Sequence, residues 1–159
     1  RAPILRQAAL EALAEVDPPG IEDARACLSD VNATLRAVAW RIVLAADASE
    51  AVKAADDEDA EVRLVAAAAL ARAPRESALP ALLALLDDDR SATLRDSRGS
   101  DLVRGEVCDA AVASLEALTG RKSEGDDDDA KVPARSPDGS QPICPATCSR
   151  RPRVITPFT

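Results

Sequence analysis

The sequence predicts an all-α fold, a solenoid of three to four stacked helix pairs followed by a disordered C-terminal tail. Three observations carry that prediction. Of 159 residues, 34 are alanine and 17 leucine, whereas aromatics make up 1%, Trp40 and Phe158 alone. Strands draw on β-branched and aromatic side chains and helices on alanine and leucine, so this balance favours helices. Apolar residues recur at helical spacing as far as Gly120 and not beyond it. Finally, a short pattern, D-x-[ND]-A-x-[LV]-R, occurs twice, 27 residues apart.

The two copies are Asp30-Val31-Asn32-Ala33-Thr34-Leu35-Arg36 and Asp57-Glu58-Asp59-Ala60-Glu61-Val62-Arg63. Each leads into an alanine-rich helix, from Ala37 to Val43 and from Leu64 to Leu70. The N-terminus fits the same register: Leu5-Arg6 precedes Leu35-Arg36 by 30 residues, and Ala9 and Leu13 fall on Ala39 and Val43. A looser copy places Glu106-Val107, Ala111 and Leu115 45 residues after Glu61-Val62, Ala66 and Leu70.

Shorter helices are expected between these. Ile21, Ala24 and Leu28 share one face of the first. The second runs from Ser49 to Ala55, with Ser49 as N-cap and Val52 and Ala55 turned inward. The third runs from about Glu76 to Leu86, with Pro80 tolerable only in a first turn and an apolar stripe of Leu79, Leu82, Leu83 and Leu86. Breaks fall at Asp17-Pro18-Pro19-Gly20, at the acidic turn 56–59, at Ala73-Pro74 and at Asp87-Asp88-Asp89.

Each repeated position has a physical use. An aspartate ahead of a helix accepts bonds from its free N–H groups and suits the positive end of its dipole. Alanine at the crossing lets two helices approach closely. An arginine at the same place in each unit can bridge to the acidic turn of a neighbour. Arg6, Arg36 and Arg63 with Asp30, Asp57 and Asp59 are therefore read as a structural ladder. One helix pair cannot bury its own apolar face, so the units must stack.

The opening pattern, the alanine-rich helix after it and the segment Pro80-Ala81-Leu82-Leu83-Ala84-Leu85-Leu86-Asp87-Asp88 together resemble HEAT-like repeats. The short bacterial kind, the phycobilisome-lyase type, is the most similar. The resemblance spans roughly residues 3–120. It departs in the last unit, where Cys108 takes the place of the ladder arginine and an insert at 90–105 precedes it. The resemblance implies a right-handed α-solenoid and a non-enzymatic role in protein–protein scaffolding. Its alternative implication is a bilin lyase-like or chaperone-like accessory acting on a tetrapyrrole-carrying or other protein client. The deoxyhypusine hydroxylases, which use such repeats to hold di-iron with His-Glu pairs, are excluded because the chain has no His.

The same absence removes a Ser-His-Asp triad, an imidazole base and any His-ligated metal. No nucleophile stands beside a base and no Gly-rich phosphate loop is present, so no catalytic, cofactor or metal residue is expected. The net charge is -8. Residues 1–120 carry 13 basic and 22 acidic side chains, and residues 121–159 carry 7 and 6. The helical part should repel nucleic acid and anionic lipid. No run approaches the roughly 20 apolar residues of a membrane span. The expected setting is the cytoplasm and the expected partner a protein. Because position 1 is Arg, the rest of a longer solenoid is a second candidate partner.

Trp40 has two readings, core between repeats or an exposed anchor on the inner surface. The 90–105 insert carries Arg90, Arg95, Arg98 and Arg104 against Asp96 and Asp101. It reads as a solvated loop or as a loop docking an acidic partner or phosphate group through Arg95, Arg98 and Arg104. Cys27 and Cys108 are expected as reduced thiols in helices. The tail 121–159 holds Asp126 to Asp129, six prolines from Pro133 to Pro157, the pair Cys144 and Cys148, and Arg150-Arg151-Pro152-Arg153. Such a composition cannot offset its ordering entropy. Its cysteines are a local disulfide or two separate thiols.

Overall fold

The computed structural model describes residues 2–15 and 20–122. The expected tail, apart from Arg121 and Lys122, lies outside the described residues, as do its aspartate run, its cysteines and its basic cluster. The described chain is mostly helical, with seven α-helices and one two-stranded antiparallel sheet. That sheet corrects the all-α expectation. No described helix is long and apolar enough to cross a membrane.

The helices begin where side chains can serve their free N–H groups. Helix α1 (Pro3–Ala14) opens on proline, whose missing N–H costs nothing in a first turn. Helix α2 (Ile21–Ala26) is short. Helix α3 (Ala33–Ala46) is capped by Asn32, whose side chain accepts the Leu35 N–H at 2.9 Å. A 3₁₀ turn, Ala48–Glu50, leads into α4 (Ala51–Ala55). Asp47, not Ser49, caps this turn: it accepts both the Ser49 N–H (2.9 Å) and the Ser49 hydroxyl (2.6 Å). Ser49 already lies inside the turn, so its own N–H is among those needing a partner. In α4, Ala51, Ala54 and Ala55 are buried and Val52 only half so.

Helix α5 (Ala60–Leu70) is capped by Asp59, which accepts the Glu61 N–H at 2.8 Å. Helix α6 (Arg75–Leu85) carries Pro80 in its second turn, not its first. The helix forgoes the bond that residue 80 would give to the Glu76 carbonyl. Its buried face is Ala78, Leu82 and Leu85, while Leu83 is 58% exposed. The four-leucine stripe is thus rotated, with alanine taking the contact. Strands β1 (Ser91–Arg95) and β2 (Asp101–Glu106) follow, and α7 (Val107–Thr119) ends on Gly120 at φ 69°. Glycine reaches this left-handed stop without a Cβ penalty.

The odd-numbered helices lie side by side, α1 on α3, α3 on α5 and α5 on α7. Each even helix packs on the odd helix after it: α2 on α3, α4 on α5, α6 on α7. Fully buried alanines, among them Ala24, Ala39, Ala54, Ala66 and Ala78, sit in this core between Leu35, Leu44, Leu64, Leu70 and Leu82. Small residues bring the helix axes together and the leucines fill what remains.

The hairpin β1–β2 occupies most of the 90–105 insert, which was expected as a loop. Leu94 pairs with Val103, and a register shift follows between Leu94 and Arg95. The physical cause is tertiary. The α5 sequence A-E-V-R-L-V-A-A-A-A-L is apolar nearly all round, and a helix of that kind must be covered on every side. Helices α3, α7, α4 and α6 contact it, and both strands contact it as well. Leu94 is fully buried in this contact region. The hairpin is also tied to α1. Gln7 donates to the Arg95 carbonyl at 2.6 Å, and Ser97 donates its N–H (3.1 Å) and hydroxyl (2.6 Å) to Glu11.

Candidate functional site

One arginine–aspartate junction recurs three times, and the repeated motif supplies most of its parts. Asp30 accepts the Asn32 N–H at 2.9 Å, which holds Asn32 in place as the cap of α3. Asp57 does the same for Asp59 at 2.9 Å, and Asp59 then caps α5. The arginine six residues after each aspartate reaches back to that aspartate's carbonyl, Arg36 to Asp30 at 2.9 Å and Arg63 to Asp57. The same guanidinium reaches forward to the next unit. Arg36 makes a two-pronged contact with Asp57, Nε to Oδ2 at 3.0 Å and Nη2 to Oδ1 at 2.8 Å. Arg63 Nε donates to Asp88 Oδ2 at 2.7 Å, and Arg6 pairs with Asp30.

The structure therefore joins Arg6, Arg36 and Arg63 to Asp30, Asp57 and Asp88. Asp59 belongs to the α5 cap and not to the ladder. Asp88, which the sequence marks as the close of the Pro80–Asp88 segment and part of a break, is not among the expected ladder residues, although its spacing of 31 residues from Asp57 points to it. Among the described residues no arginine continues the ladder beyond Asp88. Instead the Cys108 N–H donates to the Asp88 carbonyl at 2.9 Å.

The second and third junctions differ in how the arginine meets its aspartate. Asp88 Oδ1 faces Arg90, accepting its side chain at 2.9 Å, so Arg63 cannot form the fork that Arg36 forms. The Arg63 Nη2 is correspondingly buried without a partner.

Electrostatics follow this geometry. The backbone N–H of Asn32 and then the Arg6 side chain hold the Asp30 carboxyl below its usual range. Burial works to raise Asp57, but Arg36, the Asp59 N–H and the charges of Arg36 and Arg63 outweigh it and leave it lowered. Asp88 is likewise lowered against its burial by Arg90 and Arg63. Glu61 goes the other way, raised by burial against its bond from Thr34 and raised again by Asp59.

Trp40 is 7% exposed and belongs to the core cluster. This corrects the reading of Trp40 as an exposed anchor. The other sequence candidates lie on the hairpin. Arg95 pairs with Asp101 at 2.9 Å and Arg104 with the same carboxylate at 3.7 Å, with side chains 63% and 66% exposed. Arg98 is exposed in the turn, whose shape is set by Asp96 accepting the Arg98 and Ser100 N–H groups. Three guanidinium groups thus project from a fixed hairpin and not from a loose loop.

A shallow cleft of about 650 Å³ opens beside the ladder between Asp30 and Asp57, with Leu28 and Val31 on its wall. Among the described residues, the one group with metal-ligand chemistry is Glu106, Cys108 and Asp109, whose donor atoms lie within 4.8 Å of one another. The Cys108 thiol donates to Glu106 at 3.8 Å, which accounts for part of that closeness. No family model matches the chain, and no curated protein or solved structure matches it.

Proposed function

We propose that the chain is a non-enzymatic protein–protein interaction scaffold or adaptor, a right-handed α-solenoid of HEAT-like helix pairs. The observation that supports this is the recurrence of one junction, in which an arginine of one unit meets the aspartate opening the next. Recurrent nearest-neighbour junctions are how solenoids gain stability and build extended surfaces for partners. Within that surface we assign partner contact to Arg95, Arg98 and Arg104. They are exposed, carry like charge on an acidic chain, and stand on a hairpin already ordered by Glu11 and Leu94. An acidic protein segment or a phosphorylated one fits them.

The test is affinity capture from the source cells with the wild-type chain and with R95E/R98E. A single protein retained in stoichiometric amount, and released by the double reversal, is the expected result. Capture unchanged by the reversal would remove the hairpin from the interface. A visible absorption shift on mixing with a tetrapyrrole would favour the lyase-like alternative instead.

A further inference from the structure

We propose that the molecule stacks head to tail on further copies of itself, with α1 of one copy seated on the α7 end of the next. The inference rests on how the helices pack and stands apart from the scaffold reading.

The Ser114 hydroxyl donates to the Ala67 carbonyl at 2.7 Å, which identifies the face of α7 that meets α5. That face comprises Val107, Ala110, Ala111 and Ser114, all 5% exposed or less. The repeat register puts Val62, Val65, Ala66 and Ala69 in the same places on α5, and Leu35, Val38, Ala39 and Ile42 on α3. All eight are likewise 5% exposed or less. On α1 the same places hold Leu5, Ala8, Ala9 and Ala12. Here Leu5 is 66% exposed, its neighbour Ile4 57%, and Ala9 and Ala12 are exposed too. Three of the five large exposed apolar side chains among the described residues belong to α1. A face that is covered in every later unit stands open in the first.

The complementary face stands open at the other end. Leu10, Trp40 and Ala67 are buried on α1, α3 and α5, while their equivalent Val112 is only half-buried. It lines a largely apolar groove of about 260 Å³ with Leu86, Leu115, Glu116 and Thr119. The molecule thus carries both apolar faces of its own internal helix contact, one at each end, with Cys108 on α7 where the ladder arginine would stand. The charges agree in position. The ladder ties the N-terminal ends of α1, α3 and α5 together, so these helices run in one direction. In a continued layer the end of α7 lies beside the end of an incoming α1. The groove is bordered there by Arg121 and Lys122, and the end of α1 carries Glu15, with Glu22 and Asp23 opening α2.

Such a contact is heterologous and does not close on itself. Sedimentation velocity over a concentration series should therefore show an average mass rising past that of a dimer of 16.6 kDa chains. Leu5→Glu and Val112→Glu should each abolish association. An equimolar mixture of the two variants should associate again but stop at the dimer, since each retains one intact face. A wild-type chain that is monomeric throughout would overturn the proposal. So would a dimer indifferent to Val112→Glu, which would signify α1 pairing with α1. If Val112→Glu does not fold, as judged by helical circular dichroism, the exposed reversal R121E/K122E replaces it, and unchanged association would again overturn the proposal.

Discussion

Arg36 and Arg63 are guanidinium groups with side chains 9% and 7% exposed, each held among carboxylates and carbonyls. A buried pair of this kind adds little net stability when formed, yet breaking it strands a charge. Asp57→Ala should therefore cost about 3 kcal/mol in urea unfolding. Lys53→Ala, at the exposed Lys53–Glu50 pair, should stay within about 0.5 kcal/mol. Asp30, Asp57 and Asp88 all titrate below the ordinary aspartate value of about 4. A depressed carboxyl contributes stability that is fully present above its unfolded value and is lost as pH falls through its folded one. The raised Glu61 has the opposite sign, regaining a little as it protonates, but it is one group against five, since Asp47 and Glu50 are lowered as well. Urea midpoints should thus hold from pH 7 to about pH 5 and fall below about pH 4. Asp57→Asn should flatten that fall while lowering the midpoint at pH 7. The repeated pattern made two ladder aspartates and three arginines legible in the sequence. Asp88 escaped because its copy has lost the [ND]-A that follows. Asp59 was misplaced because acids serve both as helix caps and as ion-pair partners, and only geometry separates the two uses.

The helices were legible as elements because alanine, leucine and their spacing act locally. The hairpin was not, because what orders it is distant in the chain. Its strands hold few β-branched residues, and its one sequence signal is the turn Asp96-Ser97-Arg98-Gly99 between Thr93-Leu94 and Leu102-Val103. The demand for it sits in α5, an apolar helix with a side left over once its neighbouring helices are in place. Leu94→Ala should accordingly cost about 2–4 kcal/mol, as for a core leucine and not a loop residue. Glu11→Ala should raise amide exchange across residues 91–106 while leaving α5 protected, since it removes the Ser97 contacts to α1, leaving the Gln7 bond and the core contact in place. Rapid exchange of 91–106 in the wild-type chain would contradict this anchoring.

Over the whole molecule, the same junction repeats with small changes, and each change is traceable to a residue. The first keeps a half-exposed arginine, the second forms a full fork, and the third shares its aspartate with Arg90. Trp40, the only tryptophan, lies in the core where α3 adjoins its neighbours, so its emission should be blue-shifted in the folded chain and move to the red in a single step with loss of helix. Red-shifted emission before unfolding would contradict its burial. The ladder joins successive helix pairs at their N-terminal ends, and a double-mutant cycle on Arg36 and Asp57 measures its strength directly. With R36A, D57A and the double variant compared by urea unfolding at pH 7, a coupling energy of about 1–3 kcal/mol is expected. A coupling indistinguishable from zero would mean that this pair does not hold successive units together.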